Sequence, residues 1–517
     1  MTRSGSRVFR SHASGLCQLA IGNGQWAIAQ PRIIVLLALA LSLSTGLAQW
    51  SPLAPGLDYR EYNLPGPVRV FVTRADRRTN TWTIDAMKGQ GQMKIGRETV
   101  PDMATRYNDS ITFDGHRYAV RVAINGDYYH PTTGVPLEGQ IMAGWLAKRF
   151  VDNGGISGFV WTSDRRALLG GNVENGPALQ HVVFADQARM QIKNLNEARG
   201  ANALALYTWQ YAPGTGTTAD GVEVLVRMSA PLSLLAPAPG VKGEIIRVRE
   251  NAGSSPLLFN HVVLSAQGRA GTELLRHVRP GQPVHFQLQL KDHGTTGTGL
   301  APQDWRNAWA SIGGPKRILI NRNVPRDWEA KAKKYAEKGQ KHGSVVQDPR
   351  TGIAFDARYV YFFVADGRSK ESLGMTFTEA GFFCRDVLQA TDAILQDGGG
   401  SSTLWLDGKV KNTPSGKGKD EKYGALRAVS NGYFIADVLP PKKSTEFQAG
   451  QRVRLKGELR LGPGSTFGSA GKVAATDAGT IQPEPLNGIF AKGAYWWYCR
   501  FGDADGWASL DQLTAVR

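Results

Sequence analysis

The chain has 517 residues, 42% hydrophobic and 20% charged, which excludes wholesale disorder and leaves room for more than one domain at roughly 100–200 residues each. Its 61 glycines, 26 prolines and 13 tryptophans favour many strands and turns over helical bundles. Sixty-one Lys and Arg against 44 Asp and Glu give a formal net charge of +17, a balance that suits acidic partners such as phosphorylated glycans, anionic envelope surfaces or nucleic acid without choosing among them.

In chain order, a basic stretch ending in Pro31-Arg32 precedes an apolar run at 33–43, and small residues follow at Gly46 and Ala48. That is the layout of a secretory signal over residues 1–48, with cleavage after Ala48. The apolar run is about half of the roughly 20 residues that a spanning helix needs. A cleaved signal is therefore expected, with a retained signal anchor as the alternative. The mature protein is read as exported (periplasmic, cell-envelope or extracellular) with no integral membrane segment after cleavage.

Strand patterning runs from 57 to 87, with Trp82 and Ile84 alternating with Thr81, Thr83 and Asp85. A short helix is predicted over 98–107, then an apolar strand over 121–124. Further strands are expected at 203–207, 222–228, 244–248, 261–265, 285–290 and 317–320. The Lys-rich stretch 326–342 reads as a solvated helix or loop rather than a specific anion site. Thr376 and Glu379 have capping-box spacing and start a helix whose apolar face continues through Phe382, Phe383, Val387 and Leu388. A buried strand at 393–396 leads into Asp397-Gly398-Gly399-Gly400-Ser401-Ser402, and a hairpin turned by Asp407-Gly408 follows. Pro440-Pro441-Lys442-Lys443-Ser444 reads as a linker before a tail with its own strand pattern. Cys17 departs with the signal, while Cys384 and Cys499 read as small buried hydrophobes; a bridge between them would have to join segments assigned to different domains.

The triple glycine carries the most chemical information. Bare backbone permits positive φ and close ligand approach, and consecutive N–H groups with the Ser401 and Ser402 hydroxyls form an anion-binding concavity. Asp397 brings a carboxylate to its mouth. Asn125-Gly126-Asp127-Tyr128, at another strand end, offers an amide, a carboxylate and an aromatic face for a sugar, although the same residues also suit a hairpin turn. Glu138 follows closely. Arg350 and Arg427 can each present a guanidinium fork to phosphate. Asp366 ends an apolar run, where a tight turn explains it equally well. HExxH, paired CxxC, P-loop and GxSxG motifs are missing, and the histidines lack metal-ligand spacing, so neither a cofactor nor a metal is expected.

Taken in order, these pieces resemble the phosphodiester glycosidase family over about residues 57–437. The elements are Ala123-Ile124-Asn125-Gly126-Asp127-Tyr128-Tyr129, Pro349-Arg350-Thr351-Gly352-Ile353-Ala354 and Ala365-Asp366-Gly367-Arg368. Gly374-Met375-Thr376-Phe377-Thr378-Glu379, Gln396-Asp397-Gly398-Gly399-Gly400-Ser401 and Arg427-Ala428-Val429-Ser430-Asn431 complete them. Departures from the family pattern are Asp127 for a common Gly, Gln396 for Leu and Ala354 for Gly. The tail from about 445 resembles bacterial Src-homology-3-like domains through Leu459-Arg460-Leu461-Gly462-Pro463-Gly464-Ser465 and Gly506-Trp507-Ala508.

The resemblance implies an α+β fold: a strand-rich, mixed-sheet catalytic domain with few helices over 49–440, and a small SH3-like β-barrel over 445–517. It also implies a hydrolase that cleaves the glycosidic bond of a sugar-1-phosphodiester, N-acetylglucosamine-1-phosphodiester-like, to free sugar and phosphomonoester. Asp397 is then the first choice for catalytic carboxylate, with Asp127, Glu138 and Asp366 as partners; spacing does not assign base or nucleophile. Asn125, Gly126, Arg350, Gly398, Gly399, Gly400, Ser401, Arg427 and Asn431 bind substrate. The expected partner is a sugar phosphodiester or anionic envelope glycan, with cell-wall contact through the tail and no nucleic acid. The alternative is a non-catalytic envelope protein that binds anionic glycan and is anchored by the SH3-like domain.

Overall fold

The computed structural model describes residues 49–151, 157–314, 316–418 and 421–516. The signal segment expected over residues 1–48, with Cys17, lies outside the described residues. The architecture is strand-rich α+β, with four short α-helices among the described residues.

Two sheets carry the predicted motifs. The first is seven-stranded, in spatial order Ser51–Ala54, Leu57–Leu64, Val68–Asp76, Tyr359–Ala365, Arg350–Phe355, Asp392–Leu395 and Lys316–Leu319. The second has five strands, Lys409–Val410, Leu404–Leu406, Arg117–Asn125, Asn431–Leu439 and Trp82–Lys88. Side-chain alternation explains how they stack. Ile353, Phe355, Phe362 and Val364 of the first sheet share one core with Ile84, Val122, Ile124 and Ile435 of the second. The intervening residues point the other way: Ala354 and Phe363 pack with Phe377 and Ala380 of helix Phe377–Phe382, and Ala123 and Phe434 with Val100 and Met103 of helix Val100–Tyr107.

The helix starts are local. Thr99 accepts from the Asp102 amide at the first. At the second, Thr376 and Glu379 form the complete capping box that their spacing predicts. That helix then widens into a π turn over Phe383–Val387, which delivers Cys384 into the core. Cys384 and Cys499 are both free and buried, so no bridge joins them.

Between the two halves of this sandwich the chain adds a five-stranded sheet that includes Gln140–Met142 and Ala308–Ile312, and a closed seven-stranded barrel. The middle strands expected at 203–207, 222–228, 244–248, 261–265 and 285–290 fall in that barrel, whose single parallel pair is Arg189–Leu195 with Leu204–Thr208, whereas the one expected at 317–320 lies at the edge of the seven-stranded sheet. Residues from 452 onward form an eight-stranded sheet with its own core around Val453, Leu459, Trp497 and Cys499. Residues 48–517 cluster as one compact unit.

Candidate active site

Strand register gathers the motifs at one edge. In the first sheet Arg350 pairs with Ala365 and Gly352 with Leu395, so Arg350, the Asp366-Gly367-Arg368 turn and the Gln396-Asp397 loop all leave the same end. Lys316 pairs with Leu395 and joins them. In the second sheet Asn125 pairs with Gly432 and Leu404 with Ile124, which places Asn125, Asn431 and Ser401–Thr403 at the corresponding end. The glycine loop is the crossing from one sheet to the other.

Asn125 fastens that crossing. It is fully buried, donates to the Asp397 carbonyl at 2.8 Å, and accepts from the Thr351 hydroxyl at 2.7 Å and the Thr403 amide at 3.1 Å. The Asp397 amide returns a bond to the Gly126 carbonyl at 3.0 Å. Asn431 lies against Gly126, where a Cβ would collide with its Oδ1. Both asparagines therefore shape the loop from behind.

Each glycine of the triplet faces a guanidinium or a carbonyl. A Cβ on Gly398 would lie 2.7 Å from the Pro349 carbonyl oxygen and 3.6 Å from Arg350 Nη1. On Gly399, whose φ is +64°, it would lie 2.6 Å from Arg368 Nη2, and on Gly400 2.5 Å from Arg427 Nη2. Arg350, Arg368 and Arg427 thus surround the bare loop in one cleft of ≈ 420 Å³, together with Asp397, Tyr128, Lys316 and His342.

The arginines are held in place by other groups. Arg350 spends Nε on the Met375 carbonyl at 2.7 Å and Nη2 on the carbonyls of Gly343 and Val346 at 2.9 and 2.6 Å, and it stacks over Phe377 at 4.6 Å. Burial lowers its proton affinity, with Asp348 opposing. Arg368 forms a two-point pair with Asp348 at 2.7 and 2.9 Å and donates to the Ser415 carbonyl at 2.9 Å. Arg427 donates to Ser401 Oγ at 3.3 Å, and Ser401 donates onward to Asp397 Oδ2 at 2.6 Å.

The carboxylates divide into two groups. Burial raises the Asp397 carboxyl above its ordinary range, opposed by Ser401 and Arg427. Asp127 is 3% exposed and neither of its oxygens has a hydrogen-bond partner. Burial pushes it well above the carboxylate range; the nearby Tyr128 amide works in the opposite sense without reaching bonding geometry, while the Asp397 and Glu138 charges push it further up. Glu138 is half-buried and raised by desolvation, with Lys148 opposing. Neither Asp127 nor Glu138 lines the cleft; the Asp397 charge reaches Asp127, and so does that of Glu138. Asp366 is 2% exposed, accepts from the Thr413 amide at 2.8 Å and is not part of the cleft wall. Its own raised proton affinity comes from burial, and its carboxylate pins the chain around Asn412 and Thr413.

Sequence reasoning did not single out Arg368, Asp348, Lys316 or His342. Arg368 stands inside the quoted Asp366-Gly367-Arg368 step, and its φ of +64°, which aims it back at Gly399, is a tertiary fact. The Lys-rich segment forms helix Asp327–Ala336, and His342 beyond it reaches the cleft wall.

Residues 241–436 match the family described as phosphodiester glycosidase. That match covers less than half of the chain. The matched span contains Arg350, Arg368, Asp397 and Arg427; the Asn125–Tyr129 element lies before it. No curated protein matches the chain. Solved structures resemble it distantly. A hypothetical protein from Synechocystis aligns at 14% identity and TM-score 0.46, over 75% of this chain and 63% of that one, so the chain spans less than two thirds of that protein. A Burkholderia pseudomallei K96243 protein, named for the exported class, aligns at 18% identity and TM-score 0.45, over 72% and 74%. The zebrafish N-acetylglucosamine-1-phosphodiester α-N-acetylglucosaminidase catalytic domain, auto-inhibited by its pro-peptide, aligns at 15% identity and TM-score 0.36, over 76% and 86%. At these scores no chemistry is transferred from the three.

Proposed function

We propose that the protein is an exported hydrolase that cleaves the glycosidic bond of a sugar-1-phosphodiester, N-acetylglucosamine-1-phosphodiester-like. Water supplies the new anomeric hydroxyl, the anomeric C–O bond breaks, and the bridging oxygen leaves with the phosphorus as a phosphomonoester, with one proton released. One observation carries this reading: three arginines from three separate segments converge on a loop of three bare glycines, with a half-buried carboxyl at its start. A phosphate leaving group departs as a stabilised anion, so fixed positive charge and backbone donors contribute more than a strong acid would. Asp397 is the carboxylate assigned to the anomeric centre. Asp127 is coupled to its charge, Arg350, Arg368 and Arg427 hold the phosphoryl oxygens, and the face of Tyr128 is available to the sugar.

The test is Asp397→Asn on folded protein assayed for sugar release from a sugar-1-phosphodiester. A loss of about 10²-fold or more in kcat is expected for a carboxylate acting on the reacting atoms. Unchanged turnover removes Asp397 from the reaction. The tail, read as an SH3-like module over 445–517, is assigned a cell-wall contact. Retention on isolated sacculi without any sugar release would instead favour a glycan-binding envelope protein.

A further inference from the structure

A second cavity, of ≈ 100 Å³, shares no lining residue with the catalytic cleft. Four parts of the fold enclose it: the second sheet, the five-stranded sheet, loops of the barrel, and the tail. Its walls are aromatic. Phe113 lies 6.3 Å from Trp145, Trp145 lies 6.4 Å from Trp209, and Trp209 lies 5.1 Å from Phe259 and 5.8 Å from Phe467, between ring centroids.

Among the polar residues of the lining, which also include Gln90, Gln92, Ser110 and Thr112, two matter most. Asp85, 2% exposed, lines it with a carboxyl that accepts from Tyr118 Oη at 2.6 Å and from the amides of Ala86 and Ala143 at 2.7 and 2.8 Å. Burial pushes that carboxyl up to about 7 despite three donors. The indole N–H of Trp209 is buried and has no acceptor. At the rim, Arg106 is neutralised by a two-point pair with Glu98, with contacts down to 2.6 Å. An aromatic box with a carboxylate and an orphaned donor is the chemistry that recognises an organic ammonium bearing an oxygen.

We propose that this cavity is a second ligand site for a small organic cation, its ammonium held by the aromatic faces and Asp85 and its oxygen accepting from Trp209. The site is independent of the glycosidase reaction, and the tail is part of it, because Phe467 supplies one wall.

Tryptophan fluorescence of the full chain, titrated with choline and with its uncharged isostere 3,3-dimethyl-1-butanol, tests the assignment. Saturable change with choline is expected, with the isostere about tenfold weaker or worse. Asp85→Asn should weaken choline by a similar factor. Thr466→Trp, an exposed change at the mouth, should abolish binding while turnover of a sugar-1-phosphodiester is unchanged; because it leaves the interior alone, it serves if Asp85→Asn does not fold. Absence of saturation by choline, equal binding of the isostere, or undiminished binding in Thr466→Trp overturns the proposal.

Discussion

Gly398, Gly399 and Gly400 are adjacent, yet each resists a side chain for its own reason. At Gly398 the obstacle is backbone, the Pro349 oxygen, which cannot move without disturbing the strand that Arg350 begins. At Gly400 it is the far end of a flexible Arg427 side chain. Gly400→Ala is therefore expected to keep its melting temperature within a few degrees while kcat/KM for a sugar-1-phosphodiester falls by about 10²-fold, since the guanidinium is displaced from the phosphate position. Gly398→Ala should lower both. Thermal melts beside initial rates separate the two.

Asp127 gives a stability prediction with a definite sign. Its carboxyl is raised in the folded state, so folding binds a proton wherever the pH lies between the unfolded and folded values. That contribution is fully present below the unfolded value of about 4 and is lost as pH rises through the folded one. Asp127→Asn removes the charge and should raise the melting temperature at pH 7, with the gain shrinking toward pH 4. A gain independent of pH would contradict burial of the charge as its cause.

Helix Phe377–Phe382 matters beyond its length, because Phe377 lies under the Arg350 guanidinium and the Met375 carbonyl just before the helix holds Arg350 Nε. Its capping box is thus tied to the cleft. Thr376→Ala should cost about 1 kcal/mol in denaturant unfolding, and it should raise KM more than it lowers kcat if Arg350 loosens. The capping box was readable because it depends on residues three apart. The π turn that follows was not, since the extra residue per turn is set by packing Phe383 and Cys384 into the first sheet.

At the scale of the whole molecule the tail is fixed to the body. The Phe259 amide donates to the Leu461 carbonyl at 2.7 Å, Arg247 pairs with buried Asp505 at 2.9 Å, and a Cβ on Gly115 would meet Ile489 at 2.9 Å. Cutting the chain after Leu439 would expose Ile111, Leu258 and Phe259, which now pack with Ile489, Trp496 and Trp507. The truncated protein is expected to aggregate or to melt well below the full chain. Isolation of a monodisperse, equally stable fragment would show that the docking is dispensable.

The sequence by itself determined what local chemistry can determine: the capping box at Thr376 and Glu379, the strand-rich composition, the turn at Asp407-Gly408, and a glycine loop preceded by a carboxylate and accompanied by distant arginines. These depend on residue type and short spacing, and the order of the later motifs agrees with the phosphodiester glycosidase match over residues 241–436. Which groups meet was decided by the tertiary structure alone. Antiparallel register between strands far apart in sequence put Arg350, Arg368 and Arg427 around the loop, left Asp127 and Glu138 out of the cleft lining and turned Asp366 into a loop clamp. Closure of the middle strands into a barrel, and the docking of the tail that completes the aromatic cavity, are likewise long-range pairings, and their energy comes from burying surfaces that no short stretch of chain contains.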